Sequence, residues 1–215
     1  MSINFDEIID RRGTSCLKYD FAVERGYPKD VLPFWVADMD FRAPVPVIDA
    51  LAARTAHGIF GYTQIKDDYF NVLRDWFRTH HAWTVQRGEL VITPGVVFAV
   101  ATAIRAYTAP GEAVIIQQPV YYPFASMIRQ NGRTLIDSPL QFADGRYSID
   151  FADFEQKIID HKVKLFILCS PHNPVGRVWT RTELEQLAAI CLRRHVIVVA
   201  DEIHEEFVRP GFRHI

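Results

Sequence analysis

The sequence predicts an α/β fold: a mostly parallel sheet with helices on both faces, in three α/β/α layers. Three observations predict it. Short apolar runs without polar alternation recur, as at 113–116, 164–169 and 196–200, and strands buried on both faces read this way. Helical periodicity fills the intervals between them. Turn residues cluster just past the apolar runs, where open α/β sheets place their ligands.

Residues 4–33 read as an irregular arm, punctuated by Gly13, Gly26 and Pro28. Residues 32–41 turn from apolar to acidic and read as a short extended piece ending in a loop. A helix is expected over 44–57, with an apolar stripe of Val47, Ile48, Leu51 and Ala52 and a stop at Gly58. Gly61 and Tyr62 read as a turn. A second helix spans 67–81, with Phe70, Leu73, Trp76 and Phe77 on one face.

From there strands and helices alternate. A strand is expected at 89–93, a turn at Pro94 and Gly95, and an apolar helix over 96–107. The second strand is 113–116, followed by a helix at 124–131 with Gly132 as its cap, then a third strand at 134–136. A helix over 150–160 opens on Asp150 as N-cap. The fourth strand is 164–169. A helix over 182–194, capped by Thr180 or Thr182, leads to the fifth strand at 196–200. Residues 1–45 are expected to form an arm and part of a small domain, and 46–215 part of a large domain.

Bulk properties narrow the function. Lys and Arg number 24 against 26 Asp and Glu, so no overall positive field favours nucleic acid or anionic membrane. No apolar run approaches the roughly 18 residues that span a bilayer, and the first residues lack the basic and apolar regions of a signal peptide. Cys16, Cys169 and Cys191 are too few and too scattered for a disulfide framework or zinc ribbon. Reduced thiols in a cytoplasmic protein are the expectation, with Cys169 a small core residue.

Four segments past predicted strands could carry chemistry. Asp201 ends an apolar strand, where a carboxylate is costly unless a cation meets it. A protonated pyridine nitrogen would do so; a helix cap or an ion pair with arginine are the alternatives. Asn173 lies between Pro171 and Pro174 in Ser170-Pro171-His172-Asn173-Pro174-Val175-Gly176. Held rigidly there, its amide can donate to a phenolate oxygen, or it is a turn asparagine bonding its own backbone. Gly95 and Val96 open a helix whose N–H groups can face a phosphate; the segment is neither GxGxxG nor a Walker loop. Tyr121 and Tyr122 follow the second strand, and an aromatic there can stack on a flat ring or simply pack.

Taken together and in this order, the segments resemble the aminotransferase class I/II superfamily, the fold-type I enzymes that use pyridoxal 5'-phosphate (PLP). The asparagine loop is similar to the family's S-P-x-N-P-x-G, and Asp201-Glu202-Ile203-His204 to its D-E-[IV]-[HY]. Asp10-Arg11-Arg12-Gly13-Thr14, Asp38-Met39-Asp40-Phe41 and His57-Gly58-Ile59-Phe60-Gly61-Tyr62 resemble the MalY/PatB subgroup of cystathionine β-lyases and cystalysin-like desulfhydrases. The resemblance implies the PLP-binding large domain of that fold, truncated. It implies that Gly95 and Val96 face the phosphate, Tyr121 stacks on the ring, Asn173 bonds its phenolic oxygen and Asp201 its nitrogen. It places His204 behind the ring and has Tyr62 reach the cofactor of a neighbouring subunit, hence a homodimer. Ala37 and Tyr122 would border the substrate, a sulfur-containing amino acid.

The family's Schiff-base lysine lies past the D-E-[IV]-[HY] strand. Here the lysines are 18, 29, 66, 157, 162 and 164, so none follows Asp201. The chain therefore reads as a fragment holding no catalytic residue of its own, aggregation-prone and inactive alone. The family function implied is a carbon–sulfur β-lyase giving thiol, pyruvate and ammonia. An aminotransferase on the same scaffold, or a non-catalytic regulatory protein of this fold, are the alternatives. No metal site is expected: His80, His81, His195, and His204 with Glu205 and Glu206 offer ligand types but no HExxH or paired-cysteine motif.

Overall fold

A computed structural model describes residues 4–215. The chain separates into two compact units, one ending at Ile65 and the other running Lys66–Ile215.

In the first unit an arm with a single 3₁₀ turn, Val23–Arg25, leads to helix α1 (Val45–His57). The arm is organised by ion pairs. Arg11 bonds Asp38 and reaches Asp40 at 2.6 Å. Tyr19 donates to Asp40 at 2.9 Å, and Lys18 to the Asp38 carbonyl at 3.0 Å. Asp20 accepts from the N–H groups of Gly13 and Cys16. The two acidic and basic motifs of the sequence thus bind each other. Helix α1 stops at Gly58, whose left-handed φ of 73° suits glycine. Its stripe of Val47, Ile48 and Leu51 is exposed. Gly61 and Tyr62 form no turn; the backbone from 58 to 66 is irregular.

The second unit begins with α2 (Asp67–His81) and α3 (Val96–Tyr107). Then follow β1 (Ala113–Ile116), α4 (Pro123–Gln130), β2 (Thr134–Asp137), β3 (Gln141–Ala143) and β4 (Arg146–Ser148). The unit continues with α5 (Phe151–His161), β5 (Leu165–Cys169), α6 (Arg181–Arg194) and β6 (Ile197–Asp201). The main sheet is parallel with strand order β2-β1-β5-β6, and β3 and β4 form a separate antiparallel hairpin.

Alternation along β1 and β5 builds two cores. Ile115, Phe166 and Leu168 point to one face, with Phe154 of α5 and Leu187 and Ile190 of α6. Val114, Ile116, Leu165 and Ile167 point to the other, with Val100 and Ile104 of α3 and Phe124 and Ile128 of α4. Burying both faces is what the unbroken apolar runs encode. Helix α6 starts on a capping box in which Thr180 and Glu183 bond each other's backbone N–H.

One expected strand is absent and one unexpected hairpin is present. Residues 90–93 form no strand: a 3₁₀ turn at Arg87–Glu89 precedes them, and Val91 is 79% exposed. A strand exists only with a neighbour to bond, and among the described residues none pairs with this segment. The β3–β4 hairpin was not expected. Its turn carries Asp144 and Gly145, both at positive φ, a pairing that favours hairpins. The β6 edge away from β5 is unpaired among the described residues, and Ile197 and Val198 are about two-fifths exposed.

Candidate functional site

Three of the four segments singled out in the sequence emerge from the carboxyl ends of β1, β5 and β6. Asp201 closes β6, in register with Cys169 at the end of β5. Its residue is only 5% exposed. One carboxylate oxygen accepts the Ile203 N–H at 3.2 Å, and among the described residues neither lysine nor arginine pairs with it. Burial pushes the carboxyl above its usual range, while the Ile203 N–H and nearby His204 pull the other way. Asp201 is thus a buried acid lacking a compensating cation, neither capping a helix nor paired with arginine.

Asn173 sits at the tip of a tight loop. The loop closes by a bridge in which the His172 N–H donates to the Arg177 carbonyl and the Gly176 N–H to the His172 carbonyl, both at 2.8 Å. Gly176 takes the left-handed φ of 69° that this reversal needs. Beneath the loop, the indole N–H of Trp179, 1% exposed, donates to the Cys169 carbonyl at 2.9 Å. The Ser170 N–H bonds the Asp201 carbonyl at 3.0 Å, so the loop is stitched to the end of β6. The Gln118–Pro119, Ser170–Pro171 and Asn173–Pro174 peptide bonds are cis.

Tyr121 is half-buried past β1, edge-on to Phe124 at 5.8 Å and 5.6 Å from the Tyr122 ring. Burial raises its hydroxyl pKa, and the charges of Tyr122 and Asp201 add to the rise. Asp201 and Tyr121 therefore share one electrostatic neighbourhood. Tyr122 is 78% exposed.

Gly95 precedes α3 with φ 113° and ψ 162°, a conformation open to glycine almost alone. Nothing lies within 4 Å of where a Cβ would stand, so the space over this backbone is free. Helix α3 packs on β6 and α4. Thr93 and Gly95 follow no strand here; the turn is set by the helix.

Asn173 and His204 line one groove of about 880 Å³, with Arg177, Trp179 and Phe207. Gly95, Tyr121 and Asp201 do not line it. Ala37 and Tyr62 belong to the first unit. Ala37 is exposed and follows Val36, a β-branched residue at φ 63°, a strained position. Tyr62 is fully exposed.

Sequence reasoning missed two contributors. The Cys169 thiol, apart from filling core, accepts the Asn173 N–H at 3.3 Å and so holds the loop tip; nothing in the sequence signals this. Burial drives its pKa up to about 11. His172 is 3% exposed, edge-on to Trp179 at 5.5 Å, and both its ring nitrogens lack partners, as does Gln117 Nε2. Burial lowers His172 to about 4, so its ring is neutral at pH 7. Its place inside the asparagine motif was the available signal.

The donor set fits a cofactor with an anionic phosphate, a flat ring and a basic ring nitrogen. It offers a buried acid without a paired lysine or arginine, an open helix start at a glycine and a half-buried aromatic past the end of β1. Comparison with known proteins agrees with that fit. The model of the family "Aminotransferase class I and II" matches residues 29–214. Cystathionine beta-lyase PatB of Bacillus subtilis is 45% identical over 212 residues, covering 99% of this chain and 55% of the relative. Protein MalY of Escherichia coli is 37% identical over 213 residues, with the same coverage. The crystal structure of cystalysin from Treponema denticola, which contains pyridoxal 5'-phosphate, superposes with a TM-score of 0.91 at 37% identity. It covers all of this chain and 55% of that one. The chain thus spans about 55% of the length of these relatives. By the match over 29–214 and the likeness in fold, this chain belongs to the aminotransferase class I and II family.

Proposed function

We propose that the chain supplies the PLP-binding part of a carbon–sulfur β-lyase acting on cystathionine or a related sulfur-containing amino acid. The observation that carries this reading is Asp201: a buried carboxylate at a strand end, raised by burial and met by no cation. Such an acid holds a proton on a pyridine nitrogen, and the buried charge is then compensated.

The other residues follow from their places. Gly95 and Val96 present N–H groups at the α3 start to the phosphate. Tyr121 offers its ring face for stacking. The Asn173 amide, fixed by its loop and by Cys169, donates to the phenolic oxygen. His204, three residues past Asp201, stands behind the ring. Bound here, PLP supplies an electron sink for the charge left when the substrate α-proton departs. Ala37 and Tyr122 border the substrate, Tyr62 reaches the phosphate held by a partner subunit, and the protein works as a cytoplasmic homodimer. Among the described residues no helix is long and apolar enough to cross a membrane. Residues 1–45 belong with the small domain and 46–215 with the large one. None of the lysines in these 215 residues follows Asp201, so no residue here is assigned the role of moving the α-proton.

The lyase reading is favoured over a transaminase by the relatives named cystathionine beta-lyase. A chimera joining this chain to the remaining portion of the B. subtilis relative tests it. Pyruvate released from cystathionine without an added keto acid is expected. Amino-group exchange with keto acids and no pyruvate would overturn the lyase in favour of the transaminase.

A further inference from the structure

The segment leaving β6 folds back on the end of α2 and gathers side chains that the cofactor reading does not use. Glu202, Glu205, Glu206 and His214 join His81, the last residue of α2, around a cavity of about 370 Å³ that Trp83 and Arg213 also line. His81 Nε2 lies 2.9 Å from Glu206 and 3.8 Å from Glu205. His214 Nε2 lies 3.4 Å from Glu202. The ligand-type atoms form two triads, each within 4.8 Å: His81 with Glu205 and Glu206, and Glu202 with Glu205 and His214. Both triads contain Glu205.

The charges in this cavity do not balance. Three carboxylates meet two imidazoles, and among the described residues no lysine or arginine pairs with Glu202, Glu205 or Glu206. Arg213 lines the cavity but bonds none of them. Glu206 is partly satisfied by the Trp76 indole N–H at 2.6 Å, whereas among the described residues the Glu202 and Glu205 carboxylates have no partner nearer than 3.4 and 3.8 Å. Burial raises both of these acids above their usual range. A second, independent sign comes from His214. Its side chain is 8% exposed, and its Nδ1 is buried without a partner. The His81 and His214 rings stand 6.2 Å apart. Rings sharing one tetrahedral ion stand roughly 5 Å apart, given a Zn–N distance of about 2 Å, so a small closure brings both to one centre.

We propose that this cavity binds one divalent transition-metal ion, held at Glu205 with His81 and Glu206 on one side and Glu202 and His214 on the other. Imidazole with carboxylate suits zinc, cobalt or nickel better than the hard, oxygen-only cations. The ion offsets the uncompensated carboxylate charge and ties the end of α2 to residues more than 120 positions later. Sequence inspection excluded a metal because no spacing motif is present. The ligands come from two distant segments, and only the fold brings them together.

Zinc alone is the probe. The 215-residue chain is dialysed to equilibrium against Zn²⁺, and bound metal is measured by mass spectrometry. One ion per chain is expected. Glu205→Gln is expected to weaken binding by about tenfold or more, while His195→Asn, at the α6 end and outside the cluster, leaves it unchanged. Because Glu205→Gln can disturb folding, a second readout uses the unsubstituted chain. Zn²⁺ is expected to slow carbethoxylation of His81, mapped by peptide, and to leave His195 unaffected. Absence of a bound ion, zinc affinity untouched by a folded Glu205→Gln chain, or His81 modification that zinc does not slow would each overturn the assignment.

Discussion

Replacing Asp201 by Asn separates the two consequences of its burial. Asn keeps an oxygen for the Ile203 N–H, at 3.2 Å in the parent, and removes the charge. The parent carboxyl is raised by burial, so the folded chain holds this proton more tightly than the unfolded chain does. Stability therefore falls as pH rises from the unfolded value of 3.8 through the folded pKa, and the full cost stands above it. With no cation nearby, Asp201→Asn lifts that cost but buries an amide N–H₂, itself worth about 1–3 kcal/mol if unpaired. A net gain of about 1 kcal/mol at pH 7 is expected, or about 2–4 °C in Tm for a chain of this size. The gain vanishes as pH falls, and near pH 4 the amide cost leaves the variant the less stable of the two. Thermal unfolding of the cofactor-free chain, followed by circular dichroism from pH 4 to 8, reads it. The same variant should bind PLP at least tenfold more weakly, because the paired proton on the ring nitrogen is lost, at about 1.4 kcal/mol per pKa unit. A variant less stable than the parent at pH 7, with the loss shrinking as pH falls, would refute the reasoning, since it would mean that a cation already meets Asp201 and holds its pKa down.

Three further outcomes follow from the packing. Phe166→Ala empties a position 1% exposed and edge-on to Phe154 at 4.9 Å, and should cost about 3–5 kcal/mol in urea unfolding; a loss under 1 kcal/mol would mean that the core is not closed there. Burial alone would raise Glu183, but Arg177 at 2.8 Å and the Thr180 bonds hold it below its usual range. Its contribution is thus present above pH 4.5 and is lost as pH falls through the lowered pKa. Glu183→Ala should cost about 1–3 kcal/mol at pH 7 and less in acid, and an equal loss at both pH values would contradict the pairing. Light scattering should show the chain self-associating through the unpaired β6 edge, and Val198→Lys should reduce this; unchanged association would place the contact elsewhere.

Much of the fold is legible because its signals are local. Helices α2 and α3 and strand β1 match their expected limits, since periodicity and flanking turns mark them. Asp150 and Thr180 act as N-caps because their side chains bond N–H groups three residues on. The strand expected at 89–93 failed for a non-local reason. Its residues are apolar enough for a strand, but among the described residues no strand bonds to them. The hairpin was missed although Asp144 and Gly145 announced it, because each arm is only three residues long. Of the site, the order of the segments and the burial of Asp201 could be read from the apolar strands before them. The support from Cys169 and the meeting of His81 with Glu205 could not, since both depend on which distant segments the sheet order brings together.

The central claim concerns a proton, and a nuclear magnetic resonance measurement reads it directly. PLP labelled with ¹⁵N in the ring is bound to the chain, and its nitrogen shift is recorded at pH 8. The account predicts a protonated ring nitrogen with Asp201 in place and an unprotonated one in Asp201→Asn. The same shift in both proteins, or a neutral nitrogen in the parent, would contradict it.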